Sequence, residues 1–311
     1  MSTIPLHEKR ILITGANGLL GQKLIKTFKG KFKIVASGNE DHFFLEDSDI
    51  HYEILDITDP ARCKAVIHEV KPDIIINAAS YTNVDGCEVE KETCWDVNVK
   101  GVENLAKSAK NLMSLVIHVS TDFVFDGNSG PYSEENRPNP LGYYGKSKLA
   151  SENVCRISGV PFAIVRTSVL FGLGVKVKQN FFIWIYNNLK EGNKISVVTD
   201  QFNTPTLVDD LAGGIFQLIQ KSAYRVYNIC GGDFLNRYEY ATILADVFGF
   251  EKDLITPITT NSLRQKAKRP MKGGLKIDKA QQELGYHPRS LVDAFLYLKE
   301  SVSDGRLSTI T

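Results

Sequence analysis

Cysteine is scarce in this chain: five in 311 residues, an odd number, with no C-x-x-C pair. That excludes a disulfide framework and a cysteine-based zinc centre, and Cys63, Cys87, Cys94, Cys155 and Cys230 are expected as buried reduced thiols. The six histidines show no metal-ligand spacing either, and His118 is expected to pack within its strand. No apolar run approaches the roughly 18 to 20 residues that cross a bilayer, so no membrane partner is expected. His7, Glu8, Lys9 and Arg10 stand where a signal peptide would carry its apolar stretch, which makes the expected location cytoplasmic. Charge of one sign is also missing. With 37 basic against 36 acidic residues the net charge is +1, too little for a nucleic-acid binder. What is present, 43% hydrophobic and 23% charged residues, is ordinary globular composition in a chain long enough for about two domains.

The first half alternates short apolar runs with helical stripes. Strands are expected at 10–14, 33–36, 74–76, 114–120 and 162–166, and helices at 19–28, 60–70, 92–110 and 143–157. Strict alternation implies right-handed crossovers and a parallel sheet covered on both faces, a doubly wound Rossmann-like α/β fold. After about Gly172 the pattern changes to helices at 180–190, 209–220, 238–248 and 291–300, with strands at 195–198 and 225–229. The expected division is a dinucleotide-binding domain over 1–172, to which 206–231 returns, and a smaller substrate lobe formed by 173–205 and 232–311. Ligands of such folds bind beyond the carboxyl ends of the strands, where the crossovers part.

Between the first strand and helix lies Thr14-Gly15-Ala16-Asn17-Gly18-Leu19-Leu20-Gly21. Gly15 permits the tight turn, Gly18 lets backbone N–H groups approach a pyrophosphate, and Gly21 lets the helix pack on the sheet. A dinucleotide held by residues 15 and 17–21 is therefore expected. The end of the second strand reads Ala36-Ser37-Gly38-Asn39, with no acid at its tip to grip a ribose 2′-hydroxyl and repel a 2′-phosphate. NADP(H) is accordingly favoured over NAD(H), although Asp41 is close. Asp56 and Ile57, after the next apolar run, are placed to hold the adenine edge.

Three polar groups fall where a hydride-transfer site needs them. Ser120-Thr121 ends a central strand, and Tyr144 and Lys148 lie four apart, one helical turn from each other. When hydride reaches a carbonyl carbon its oxygen must receive a proton. A phenol beside an ammonium can supply it, and a threonine hydroxyl can orient the same oxygen.

With Gly15-x-x-Gly18-x-x-Gly21, Asn77-Ala-Ala79, Ser120-Thr-Asp122, Val124-Phe-Asp-Gly127 and Tyr144-Gly-Lys-Ser-Lys148, the chain resembles the extended short-chain dehydrogenase/reductases. Pro131-Tyr-Ser-Glu134, Arg166-Thr-Ser168, Asp200-Gln201, Pro205-Thr206 and Arg269-Pro270 narrow the resemblance to the dTDP-4-dehydrorhamnose reductases. The resemblance spans about residues 10 to 300. It implies reduction of the 4-keto group of a nucleotide-linked deoxysugar. Tyr144 would be the proton donor, Lys148 its tuner and ribose ligand, and Thr121 the carbonyl partner. It further implies Ala78, Ala79, Tyr81 and Asn98 along the cofactor, and Val84, Phe123, Asn180, Gln201 and Arg269 on the substrate side. A guanidinium at 269 suits a sugar-nucleotide pyrophosphate. Its basic neighbours (Arg264, Lys266, Lys268 and Lys272) lack interleaved aromatics and read as a solvated loop.

Nucleotide-sugar dehydratases carry Thr-Asp-Glu at this strand end. Phe123 cannot donate a proton, which disfavours dehydration. Four sugar-side positions depart from the reductases' usual residues: Phe123, Val169, Asn203 and Gly273. Together they imply a pocket with fewer hydroxyls and a smaller lining residue, suited to a different ketosugar. The alternatives are another nucleotide-sugar epimerase or reductase, or a non-enzymatic regulator similar to the β subunit of methionine adenosyltransferase. A homodimer is compatible with either class.

Overall fold

Ile11, Leu12 and Ile13 are wholly buried, as a central strand covered on both faces requires. Strand β1 (Arg10–Thr14) begins a computed structural model that describes residues 5–45, 47–177 and 180–303. The outer ends of the two expected domains (1–4 and 304–311), and 178–179 within the lobe, lie outside the described residues. The chain continues through α1 (Leu19–Phe28), β2 (Lys33–Gly38), β3 (His51–Ile54), α2 (Pro60–Val70) and β4 (Ile74–Asn77). Next come α3 (Val84–Val89), α4 (Lys91–Trp95), a π-turn (Asp96–Lys100), α5 (Gly101–Ala109), β5 (Leu115–Thr121), α6 (Tyr143–Ile157) and β6 (Phe162–Thr167). The second half adds β7 (Leu170–Phe171), α7 (Phe181–Lys190), β8 (Ile195–Val198), β9 (Phe202–Asn203), β10 (Thr206–Leu207), α8 (Val208–Gln220) and β11 (Arg225–Asn228). Last are β12 (Leu235–Asn236), α9 (Arg237–Phe248), β13 (Ile255–Ile258), α10 (Asp278–Leu284) and α11 (Leu291–Ser303).

Seven parallel strands form the central sheet in the order β11-β6-β5-β4-β1-β2-β3. The period of two along β1 divides its side chains between two cores. Ile11 and Ile13 join Leu24, Ile25, Leu211 and Ile215 on the face covered by α1 and α8. Leu12 joins Cys63, Ile67, Leu105 and Val116 beneath α2 and α5. From β1 the chain crosses to β2 on one side and the order resumes with β4 on the other. The crevice at their carboxyl ends is the switch point of the sheet.

A third core gathers residues from the second half of the chain. Phe171, Phe182, Tyr240 and Phe295 cluster there, with Tyr240 and Phe295 edge to face at 5.0 Å. Ala280, Leu284 and Tyr286, around α10, pack instead in the core under α1 and α8. This helix, within the span expected for the lobe, thus packs against the sheet. The single helix expected at 92–110 is also interrupted, by the π-turn Asp96–Lys100. No described helix is long and apolar enough to cross a membrane, and the five cysteines are free and buried.

Candidate active site

One cleft of about 1280 Å³ runs across the carboxyl ends of the strands and on to Phe181, Trp184 and Arg237. Single small-molecule pockets run to about 1000 Å³, so this one has room for a dinucleotide and a second ligand together. Its floor at one end is the glycine turn. Gly15 has φ +68°, and a Cβ there would stand 2.7 Å from Ala79 N, so only glycine lets the turn lie against the end of β4. At Gly21 a Cβ would meet the Gly15 carbonyl at 2.3 Å, which would force α1 away from the turn it follows. Gly18 caps α1 with no side-chain hydrogen bond, leaving the first N–H groups of the helix to an anion in the cleft. The donors, the turn and the volume fit a dinucleotide.

Of the residues expected to touch cofactor or substrate, Asn98 alone does not line this cleft. It is 1% exposed, carried inward by the π-turn, and its amide is fully used. Oδ1 accepts from Tyr81 N at 2.8 Å and Ser80 Oγ at 2.8 Å. Nδ2 donates to Ser147 Oγ at 3.0 Å and to the Tyr81 carbonyl at 3.1 Å. Asn98 thus fixes the cleft-lining Tyr81 backbone from behind. Asn17 reaches the cleft, but its side chain holds the segment after β2, donating to the His42 carbonyl at 2.9 Å and accepting from Phe44 N at 2.9 Å. Asn180 caps α7 at Ile183 N, 3.2 Å away. Gln201 donates to Thr260 Oγ1 at 3.0 Å and Gln265 Oε1 at 3.2 Å.

Thr121, Tyr144 and Lys148 all line the cleft, the Tyr144 phenol within hydrogen-bond reach of the Thr121 hydroxyl and Lys148 one turn further along α6. Thr121 Oγ1 accepts from Phe123 N at 3.2 Å and donates to Asp122 Oδ1 at 3.1 Å. Phe123 packs edge to face on Tyr144, with ring centroids 5.7 Å apart. Burial pushes the Tyr144 phenol well above its ordinary range, with the Asp122 charge adding to it and the Thr121 hydroxyl opposing. The phenol is therefore held protonated. Burial lowers Lys148 to about 8, with the charges of Glu152, Cys155 and Cys94 opposing the shift. Its Nζ donates to the Val119 carbonyl at 2.7 Å.

The buried His118 stands behind this lysine. Asn77 Oδ1 accepts from Thr14 Oγ1 at 2.7 Å, which leaves Asn77 Nδ2 to donate to His118 Nδ1 at 3.2 Å. The proton assigned by this network is then on Nε2, which faces Ser151 Oγ at 2.8 Å. Burial, reinforced by Lys148, holds the ring well below its usual pKa and hence neutral.

Helix α6 is locked in place by an ion pair that nothing local in the sequence announces. Arg166 Nε and Nη2 donate to Glu152 Oε1 and Oε2 at 2.8 and 2.7 Å, Ser120 Oγ donates to Oε1 at 2.7 Å, and Arg156 Nη2 to Oε2 at 2.8 Å. Ser120 is thereby committed to structure, and Thr121 is the hydroxyl at the cleft. Burial alone would raise the Glu152 carboxyl, but the Arg166 pairing outweighs it and the net position is below the usual range. Glu152→Gln leaves a wholly buried guanidinium without its counter-charge, and a loss of about 3–5 kcal/mol is expected in denaturant unfolding. A carboxyl with a depressed folded pKa contributes its stability above its unfolded value, about 4.3, and loses it as pH falls through the folded value. Wild type and variant should converge in acid. A constant difference down to pH 2 would contradict the ionic reading.

Two of the cleft residues that sequence reasoning overlooked carry charge that bears on the ligands. Glu40, just beyond β2, is half-buried and accepts from Asn17 Nδ2 at 3.2 Å. Arg237 begins α9 and lies over the Phe181 ring at 4.5 Å. Glu40 was discoverable, two residues past the strand end. Arg237 carried no local signal. Val169 also lines the cleft, with φ +40°, an unusual conformation for a β-branched residue and one that occurs at functional sites.

Comparison with known proteins agrees with this geometry. The family described as RmlD substrate binding domain matches residues 9–300. A dTDP-4-dehydrorhamnose reductase of Aggregatibacter actinomycetemcomitans is 34% identical over 90% of this chain and 94% of its own length. Methionine adenosyltransferase 2 subunit beta of Xenopus tropicalis is 34% identical over 83% of this chain and 77% of its own. The solved dTDP-4-dehydrorhamnose reductase of Bacillus anthracis str. Ames, in complex with NADP, superposes with a TM-score of 0.85 at 29% identity, covering 94% of this chain and 99% of that one.

Proposed function

The chain belongs to the family of the RmlD substrate binding domain, among the extended short-chain reductases and hence the NAD(P)-dependent oxidoreductases, and from that premise we propose that it reduces dTDP-4-dehydro-L-rhamnose to dTDP-L-rhamnose. The single observation that supports the reading is that Thr121, Tyr144 and Lys148 line the same cleft as the Gly15–Gly21 turn. In the proposed division of labour the sheet domain, 1–172 with 206–231 and α10, holds the dinucleotide, and the remaining lobe covers the sugar.

Residues 15, 17–21, 56, 57, 78, 79 and 81 would hold a nicotinamide cofactor, which when bound would supply the hydride for the keto carbon. Everything else falls to side chains of this protein. The Thr121 hydroxyl exchanges its bond to Asp122 for one to the carbonyl oxygen and orients it. The Tyr144 phenol gives that oxygen its proton. A phenol held protonated by burial suits a donor and is a poor base, so the site is biased toward reduction. Lys148, charged below about pH 8, stabilises the phenolate left behind. Phe123 offers no proton for expelling water from the sugar.

For the cofactor, the relative solved with NADP supports NADP(H), the form expected from the acid-free tip of β2. Glu40 pulls the other way. Its carboxylate beside the glycine turn can accept from a ribose 2′-hydroxyl and repels a 2′-phosphate. We place the choice on this residue: wild type turns over both cofactors, and Glu40→Gln raises the ratio of kcat/KM for NADPH over NADH by roughly 10-fold, about 1.4 kcal/mol. An unchanged ratio would remove Glu40 from the cofactor site.

The reading is tested by supplying a panel of nucleotide-linked 4-ketosugars with NADPH or NADH and following cofactor absorbance. Oxidation with the rhamnose precursor, faster than with the other sugars, is expected. Oxidation with none of them would move the protein to the regulatory reading that its likeness to the methionine adenosyltransferase subunit raises.

A further inference from the structure

The sequence points to Arg269 as the cation for the substrate, yet that guanidinium is already engaged. Nη2 donates to Asp85 Oδ2 at 2.9 Å and Nη1 to the Ala267 carbonyl at 3.1 Å, while Asp85 Oδ1 accepts from Ala267 N at 2.8 Å. The pair ties α3 to the segment before Pro270. Arg237 is in a different situation. It lines the cleft, half-buried, and among the described residues its guanidinium has neither a carboxylate partner nor a hydrogen-bond acceptor.

The acids that could neutralise it are committed elsewhere. Glu239, two residues on, closes the capping box of α9 by accepting from Asn236 N at 2.8 Å. Asp122 accepts from Ser168 Oγ at 2.7 Å, Gly274 N at 3.3 Å and Thr121 Oγ1 at 3.1 Å. Arg237 is also held in position. Its backbone N–H donates to the Gln201 carbonyl at 3.2 Å, and its guanidinium lies 4.5 Å from the Phe181 ring centroid. Burial lowers its pKa to about 10, so it remains charged at neutral pH while partly stripped of water. A fixed, partly desolvated cation with an open fork of donors is complementary to an anion.

We propose that Arg237 receives an anionic group of the substrate, either the diphosphate of a nucleotide sugar or an acidic substituent on the sugar itself. The inference rests on the nucleotide-sugar reading above. Arg237→Met keeps an unbranched stem over Phe181 and removes the charge, and Arg237→Lys keeps the charge without the fork. Calorimetric titration with dTDP needs no turnover and separates this inference from that reading.

The expected result for Arg237→Met is dTDP binding weakened roughly 10- to 150-fold, the range for a charge-assisted hydrogen bond. Arg237→Lys should lie between it and wild type. Nicotinamide affinity should be unchanged, which shows that the variant is folded, and KM for the ketosugar should rise at nearly constant kcat. Unchanged dTDP affinity, with KM raised only for a ketosugar carrying a carboxylate, would assign Arg237 to the sugar. Unchanged dTDP affinity together with unchanged KM for both sugars would overturn the proposal. A wild type that binds no nucleoside diphosphate would overturn the substrate class, and the proposal with it.

Discussion

Tyr144→Phe is expected to lower kcat by roughly 100- to 10,000-fold, the usual contribution of a positioned general acid. Nicotinamide affinity should stay within a factor of two or so, because the substitution removes one oxygen and keeps the ring. That ring packs on Phe123 at 5.7 Å and is not displaced by losing its hydroxyl. Stability should hold or rise slightly, since a phenol whose ionised form is opposed by burial makes no charged interaction that folding depends on. Single-turnover kinetics with saturating cofactor separates chemistry from binding. A variant retaining more than a tenth of the wild-type rate would leave the proton to another donor.

Lys148→Met should cost a further large factor, roughly 100-fold in kcat/KM, or about 2.7 kcal/mol of transition-state stabilisation. The more diagnostic outcome is the pH profile. Burial lowers Lys148 to about 8, so the ammonium is present below that value and disappears as pH rises through it. A group needed in its protonated form gives a kcat/KM that is level below about 8 and falls above. In Lys148→Met that limb should vanish and leave a low, flat profile. Other titrating groups face Lys148. His118 is held neutral through this range, Glu152 is ionised throughout it, and burial keeps Cys155 up near 12. Cys94, lowered to about 7 by Cys87, is the one neighbour that titrates near the same pH. Cys94→Ser therefore serves as the control. A limb that survives Lys148→Met and is lost in Cys94→Ser would contradict the assignment.

The strands and helices legible in the sequence were those with a continuous apolar run or a clear helical stripe. Strand β1 and the strands β4, β5 and β6 on one side of it are of this kind, because central parallel strands are buried on both faces. Strand β3 was missed because it closes one edge of the sheet with a half-exposed, polar sequence, His51-Tyr-Glu-Ile54. Strand β13 contains Pro257 and pairs only with β8, 60 residues earlier in register, where no local pattern reveals it. The π-turn at Asp96–Lys100 cannot be read from periodicity, since it inserts one residue into an otherwise helical stripe.

The site divides in the same way. Its glycine turn and its Tyr-x-x-x-Lys spacing are local, and both were visible. Whether a polar residue faces the cleft or supports it from behind is decided by tertiary contacts. Asn98 turned inward to Ser147, 49 residues away, and Arg269 found Asp85 at a separation of 184 residues. Arg237 is its counterpart: what distinguishes it is the absence of any such partner among the described residues, which only the packed structure reveals.

The central claim, that this cleft transfers hydride from a nicotinamide to the keto carbon of a nucleotide sugar, is tested most directly by isotope. Cofactor deuterated at the transferring position of the nicotinamide ring would be incubated with the protein and dTDP-4-dehydro-L-rhamnose, and the product examined by NMR and mass spectrometry. The account predicts one deuterium at carbon 4 of the sugar, with its appearance slowed in Tyr144→Phe to the same extent as kcat. In a parallel incubation in D2O, deuterium entering from solvent at another ring carbon, with no loss of reduced cofactor, would identify an epimerase. No transfer at all from a cofactor that demonstrably binds would contradict the reductase.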